Sequence, residues 1–147
     1  MKISIIVPTM RVGGLDVLFS GLRAQTYQDF ELVLVDAFHT QRLSIAELQQ
    51  DHFRVVRVEP IGSPFPVASY CRYVNTGLVY ATGELVLFLA DYTWCPPDLL
   101  ERHVRFHTQI AQKEPAWLVT YAASHVYRAV PTLDRRFPHH KAIAQYA

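Results

Sequence analysis

Three polar side chains follow apolar runs of the sequence, at the points where those runs end. Thr9 comes after ISIIVP, Asp36 after FELVLV, and Asp91 after ELVLFLA. A hydroxyl and two carboxylates held in fixed positions can bind the ring nitrogens and hydroxyls of a polar ligand such as a nucleoside. They form one site only if the fold brings these three distant positions together.

The apolar runs predict buried strands, because continuous β-branched and aliphatic residues are typical of strands covered on both faces of a parallel sheet. We predict strands at residues 3–7, 30–36, 53–58, 84–90 and 117–123. Helical spacing predicts helices near 15–22, 43–50, 67–81 and 96–112. In the third helix we expect Cys71, Val74 and Leu78 to share the buried face. Alternating strands and helices indicate a doubly wound, mostly parallel α/β sheet.

The predicted sheet brings the three polar residues to one edge, because parallel strands all end on the same side. With the strand order 3-2-1-4, a crevice opens between the first and fourth strands, where the winding direction reverses. Thr9, Asp36 and Asp91 are expected to meet at this crevice. The sequence has neither GxGxxG after the first strand nor GxxxxGK[ST], so dinucleotide and P-loop sites lose their main support.

Charge and cysteine content narrow the class of partner. Fourteen Lys and Arg against thirteen Asp and Glu leave a net charge of +1, with no run of like charges to indicate nucleic-acid binding. The opening MKISIIVP is too short for a signal peptide or a membrane span. Cys71 and Cys95 lack the spacing of a disulfide framework or zinc site and are interpreted as packing residues. We expect a cytoplasmic protein.

Three motifs carry a resemblance to a known family: SIIVPT, AQTYQDFELVLVDA and NTGLVYATGELVLFLADYTWCPPDLLE. In this order, over about residues 3–110, they resemble the opening signatures of the family 2 glycosyltransferases of the A-type (GT-A) fold. The resemblance implies a Rossmann-like fold, truncated relative to the full family fold. It implies a nucleotide-sugar-binding domain at 1–127 and, at 128–147, a tail that begins the acceptor region. The implied reaction is hexosyl transfer from a nucleoside-diphosphate sugar, of the UDP type, to an acceptor hydroxyl.

The resemblance also implies roles for individual residues. Pro8, Thr9 and Arg11 would lie along the nucleotide base and ribose, and Asp36 would form a hydrogen bond with the base. The alternative for Asp36 is that it caps the turn that follows it. Arg72, on the predicted third helix, would offer its guanidinium group to a phosphate. The alternative for Arg72 is a solvated arginine on an exposed helix face.

A divalent cation, Mn²⁺ or Mg²⁺, is implied by the Asp-x-Asp signature that the family carries after the fourth strand. This sequence has Ala90, Asp91 and Tyr92 there. Tyr92 stands where a ligating carboxylate is expected, and a neutral phenol is a poor ligand for either ion. Asp91 therefore remains as the metal-binding candidate, through a water-mediated contact. Its alternatives are a ribose hydroxyl contact and a turn ahead of the next helix.

Histidines offer two further candidates. His103 and His107 have a spacing compatible with metal ligation, but they share a helical arc with Leu100 and Val104, which favours packing at the edge of the core. His139 and His140 lie in a polar tail, and we interpret them as flexible terminal residues. The alternative is that one of them acts as the catalytic base. No motif supplies a catalytic base, so the catalytic residues are unknown.

Two functions follow from these observations. One is a glycosyltransferase donor domain, either a piece of a longer enzyme or completed by self-association. The other is a non-catalytic nucleotide-binding or assembly module with a degenerate Asp-x-Asp motif. Fold alone does not choose between them. Uncovered apolar surface on a partial fold would favour a homodimer.

Overall fold

The computed structural model describes residues 1–10, 15–38, 52–62 and 70–111. Its strands are β1 (Ile3–Thr9), β2 (Phe30–Asp36), β3 (Arg54–Val58) and β4 (Leu85–Phe88). Its helices are α1 (Leu15–Arg23), α2 (Tyr70–Tyr80) and α3 (Leu99–Ala111). The predicted helix at 43–50, the predicted strand at 117–123 and the tail at 128–147 lie outside the described residues.

The four strands form one parallel sheet in the order β3-β2-β1-β4. This order confirms the predicted doubly wound sheet, in which the winding direction reverses between β1 and β4. Thr9 pairs with Asp36 at the end of β1 and β2, and Ile6 pairs with Phe88 at the end of β4. Thr9 lies three residues after Ile6, and Asp91 lies three residues after Phe88. The register therefore brings the predicted polar residues to the same height along the sheet.

Helices cover the sheet on both faces, as the continuous apolar runs predicted. Ile5 of β1 and Leu34 of β2 share one core cluster with the apolar side of α1 and with Leu100 of α3. On the opposite face, α2 packs against β1, β2 and β3. The approach of α2 is close, since a Cβ at Gly77 would stand 2.3 Å from Ile6 Cγ2. All residues of β1 and β2 are buried between these layers.

The prediction for the buried face of the third predicted helix, which is α2, was wrong. The buried residues of α2 are Tyr73, Thr76 and Gly77, whereas Cys71 is exposed and Leu78 is 45% exposed. The helix approaches the sheet most closely at Gly77, because a residue without a side chain leaves room for Ile6. The interpretation of Cys71 as a packing residue is therefore also wrong, while that of Cys95 is confirmed by its burial.

A buried carboxylate at the amino-terminal edge of the sheet was not predicted. Glu31 Oε1 accepts hydrogen bonds from Ser4 Oγ at 2.7 Å and from the Thr82 amide at 2.9 Å. Its Oε2 is 3.0 Å from Lys2 Nζ and 3.1 Å from Arg54 Nη1. Burial alone would raise the pKa of Glu31, but hydrogen bonds from Ser4, Lys2 and Thr82 outweigh it and lower the pKa to about 2. The cluster ties β1, β2 and β3 to the segment before β4, at the edge opposite the predicted site.

Candidate functional site

A buried hydrogen bond joins the ends of β1 and β4. Thr9 is fully buried and Asp91 is 3% exposed. The Thr9 hydroxyl donates to Asp91 Oδ2 over 2.8 Å. A hydrogen bond to a carboxylate is among the stronger kinds, because the acceptor is ionised. Two of the three polar side chains predicted to meet at this edge are thus in direct contact.

Asp36 lies on the neighbouring strand and is linked to the same pair through the backbone. The Ala37 amide donates to the Thr9 carbonyl oxygen over 3.2 Å. The Asp36 side chain is fully buried, and its Oδ1 accepts a hydrogen bond of 2.9 Å from the Phe38 amide. This bond is the turn-capping role left open by the sequence. The base-binding role of Asp36 stays a prediction.

A cavity of about 300 Å³ opens beside the linked strand ends. It lies where the winding direction reverses, which is where open α/β sheets bind their ligands. Two of its lining residues, Pro8 and Asp91, were predicted to bind the nucleotide or its metal. The full lining combines the end of β1, the turn after β4 and the first residue of α2: Pro8, Met10, Ala90, Asp91, Tyr92 and Tyr70.

The segment that carries Asp91 and Tyr92 is anchored by Gln25, a residue that the sequence analysis missed. Gln25 Nε2 donates to the Pro96 carbonyl over 2.7 Å, and its Oε1 accepts from the Leu100 amide over 3.1 Å. The side chain is nearly fully buried between the end of α1 and the start of α3. Gln25 lies within one of the matched motifs, but apolar patterning carries no signal for a buried polar bridge of this kind.

Arg72 holds a neighbouring segment in place. Its Nη2 donates to the Pro60 carbonyl over 3.1 Å, and its Nε donates to the Ile61 carbonyl. The guanidinium group therefore fastens the chain after β3 to the first turn of α2. This contact differs from both the phosphate-binding role and the solvated arginine that the sequence left open. A role toward phosphate stays a prediction.

The residues at the end of β4 do not fit a divalent cation. Asp91 is nearly buried and already accepts the Thr9 hydroxyl, and the residues on either side of it are Ala90 and Tyr92. Mg²⁺ bound to a diphosphate usually takes one or two protein carboxylates, and the one carboxylate here is engaged by Thr9. Among the described residues, no group of three His, Cys, Asp or Glu side chains is placed to hold a metal ion. The metal-binding role of Asp91 stays a sequence prediction that this geometry does not favour.

His103 and His107 lie on α3 with their ring centroids 6.4 Å apart, and both are half-buried. Burial lowers the pKa of His103, and the neighbouring His107 lowers it further. Val104, between them in sequence, packs against the core cluster. These positions agree with packing at the edge of the core. The remaining predicted residues Arg11, His139 and His140 lie outside the described residues.

The fold is a doubly wound α/β domain with a cavity at the reversal of its winding. The sequence profile described as glycosyl transferase family 2 matches residues 4–112, which include every described helix and strand apart from Ile3, the first residue of β1. The chain therefore belongs to glycosyl transferase family 2. No match was found among curated protein sequences.

Solved structures of TarS from S. aureus share the fold. The complex of its residues 1–349 with UDP is 29% identical, with a TM-score of 0.55, and the match covers 74% of this chain and 32% of that one. The structure of the same TarS residues without a named ligand is 27% identical, with a TM-score of 0.56, covering 74% and 33%. The complex with UDP-GlcNAc, at 24% identity and a TM-score of 0.57, covers 74% and 32% and supports the fold alone. The chain spans about a third of the length of these structures.

Proposed function

We propose that this chain is the donor-binding part of a glycosyltransferase that uses a uridine diphosphate sugar. The observation that carries the proposal is the cavity at the ends of β1 and β4, built beside the buried bond between Thr9 and Asp91. Membership of glycosyl transferase family 2 supports a nucleotide-sugar donor. The UDP complex of TarS, 29% identical to this chain, supports uracil as the base.

The polar residues at the strand ends are held before any ligand arrives, and Asp91 is the one of them that lines the cavity. Thr9 and Asp91 restrain each other, and the Asp36 carboxylate is fixed by the Phe38 amide. Groups that are already ordered lose little conformational entropy on binding, which favours affinity and specificity. In this proposal Pro8 and Thr9 lie along the nucleoside, Asp36 binds a ring N–H, and Asp91 accepts from a ribose hydroxyl.

The size of the cavity limits what it holds. Small-molecule sites usually span about 300–1,000 Å³, so a cavity of about 300 Å³ is at the small end of that range. A nucleoside-diphosphate sugar is larger than the cavity, which therefore encloses only part of the donor. Arg11 and Arg72 are proposed to contact the rest. Transfer also needs a base for the acceptor hydroxyl, and we assign that role to no residue.

Calorimetric titration with UDP and ADP tests the proposal. UDP should bind at least tenfold more tightly than ADP, because a site that pairs with one base rejects another that leaves its polar groups unmatched. Asp36→Asn should weaken UDP binding by roughly 1–3 kcal/mol, with Asp29→Asn, at an exposed carboxylate just before β2, as the control. Circular dichroism establishes that both variants fold. Absence of measurable UDP binding at millimolar concentration would overturn the proposal.

A second candidate, a non-catalytic nucleotide-binding or assembly module, is favoured by Ala90 and Tyr92 at the degenerate signature. It shares the binding prediction and differs in the chemistry that follows. An enzyme should release UDP from UDP-sugars in the presence of an acceptor, or slowly by hydrolysis. A module should bind the donor and release none. A self-associating module or enzyme would also show a mass of two chains, which tests the predicted homodimer.

The described residues include no helix long and apolar enough to cross a membrane. A cytoplasmic location stays a prediction from cysteine content. Both points leave the donor-binding proposal unchanged, since it depends on the cavity and its polar neighbours.

A further inference from the structure

Two tyrosines line the cavity from different segments of the chain. Tyr92 lies in the turn after β4, which is closed by a hydrogen bond of 3.1 Å from the Thr93 amide to the Ala90 carbonyl. Tyr70 is the first residue of α2. Tyr92 is 50% exposed and Tyr70 is 53% exposed, in contrast with Tyr73, which is buried on the same helix. A half-exposed tyrosine in a cavity presents both an apolar ring face and a hydrogen-bonding hydroxyl to a ligand.

The cavity is poorly built for a metal-bridged diphosphate. Among the residues that line it, Asp91 supplies the one carboxylate, and this group is buried with its Oδ2 engaged by Thr9. Turning Asp91 outward to coordinate an ion would break that bond. A divalent cation bridging a diphosphate usually takes one or two protein carboxylates, and the cavity lining offers none besides Asp91.

The absence of a charge at Tyr92 also favours binding without a cation. A carboxylate in that position would repel a diphosphate unless a cation stood between them. A phenol is neutral, so it removes that repulsion, and its hydroxyl can donate a charge-assisted hydrogen bond to a phosphate oxygen. The exchange of a carboxylate for a phenol is thus consistent with binding that needs no cation.

We infer that the site holds the donor's diphosphate without a divalent cation, through a hydrogen bond from the Tyr92 hydroxyl, while the Tyr70 ring packs against the same ligand. The inference rests on the proposed function, because it names how that site binds its donor. It assigns Tyr92 and Tyr70 as binding residues, and it leaves Asp91 to fix the turn through Thr9 and to accept from the ribose rather than to hold a metal ion.

Titration calorimetry of UDP in the presence of a chelator, and again with Mn²⁺, tests the inference. The affinity of the unaltered protein should differ less than threefold between the two conditions. Tyr92→Phe should weaken binding about tenfold in both, because it removes only the hydroxyl. Tyr70→Ala should weaken binding severalfold, and Tyr70→Phe should change it little. Tyr80→Phe is the control, since Tyr80 is an exposed tyrosine of α2 that does not line the cavity.

A variant designed to make UDP binding depend on a metal ion provides a further test. Tyr92→Asp restores the carboxylate that the family signature carries, so its UDP affinity should fall at least tenfold in chelator and recover at least tenfold with Mn²⁺. A tenfold loss of affinity by the unaltered protein on chelation would overturn the inference and leave the proposed function standing. Unchanged affinity in Tyr92→Phe would overturn the role of the hydroxyl. Failure of the unaltered protein to bind UDP in either condition would instead overturn the proposed function.

Discussion

Thr9 on β1 and Asp91 after β4 are 82 residues apart in sequence, yet the Thr9 hydroxyl donates a 2.8 Å hydrogen bond to Asp91 Oδ2. Both residues are buried, so water does not replace this bond when it is lost. The bond spans the point where the winding of the sheet reverses. It therefore couples the stability of the sheet to the geometry of the cavity.

Thr9→Val removes the hydroxyl while keeping the shape of the side chain. The Asp91 carboxylate would lose a donor in a buried site, so we expect a loss of roughly 1–3 kcal/mol in the free energy of unfolding. Urea denaturation followed by circular dichroism measures it. Thr26→Val is the matched control, because the Thr26 hydroxyl donates to Glu101 Oε2 over 2.9 Å at an exposed position. Equal losses in the two variants would show that the buried hydrogen bond stabilises the fold no more than the exposed one does.

Glu31 should make the stability of the folded protein depend on pH. Its pKa falls from 4.5 to about 2 in the folded protein because hydrogen bonds and the nearby Lys2 favour the charged form over the effect of burial. Because the pKa of Glu31 is lower in the folded than in the unfolded protein, its ionised carboxylate stabilises the fold above pH 4.5. This stabilisation is lost as the pH falls toward 2. The contribution is on the order of 3 kcal/mol for a shift of this size.

Glu31→Gln removes the titrating group and checks this expectation. The variant should be less stable than the unaltered protein at pH 7, and the difference between them should shrink between pH 5 and pH 2. Urea titrations at several pH values measure the difference. Glu84→Gln serves as the control, since Glu84 is an exposed carboxylate near the same edge. A constant difference across this pH range would contradict the assigned pKa.

The sequence predicted the strand order and the meeting of Thr9 with Asp91, because both follow from where buried strands end in a parallel sheet. It did not predict the buried face of α2, where the small residue Gly77 rather than the aliphatic Leu78 approaches the sheet. Tyr70 was missed as a cavity residue for a related reason. Its position depends on where the start of α2 lies relative to the turn after β4, and apolar periodicity does not encode that placement.

The two cysteines should differ strongly in reactivity. Cys71 is exposed on α2, whereas burial of Cys95 raises the pKa of its thiol to about 12. The thiolate is the reactive form, so a disulfide reagent at pH 8 should label one cysteine rapidly in the folded protein and two in urea. Cys71→Ser should abolish the rapid phase. Rapid labelling of both thiols in the folded state would show that the segment around Cys95 opens readily.

Gly83, between α2 and β4, lies where a side chain has no space. A Cβ there would stand 2.6 Å from the Ser4 amide nitrogen in β1 and 2.7 Å from the carbonyl oxygen of Lys2, which precedes β1, and both are backbone atoms. These atoms cannot move aside as a flexible side chain would. Relief would require the segment to shift and would break the 2.7 Å hydrogen bond from the Gly83 amide to Ser4 Oγ.

We expect Gly83→Ala to lower the free energy of unfolding by about 1–3 kcal/mol, the usual cost of overpacking a close contact. Gly62→Ala is the matched control, because a Cβ at Gly62 meets nothing within 4 Å. That variant should be unchanged or more stable by about 0.4–1 kcal/mol, since alanine restricts the unfolded chain. Denaturant titration of both variants provides the comparison. If Gly83→Ala were as stable as Gly62→Ala, the close approach of this segment to β1 would be wrong, and the Ser4–Glu31 cluster built on it would have to be reconsidered.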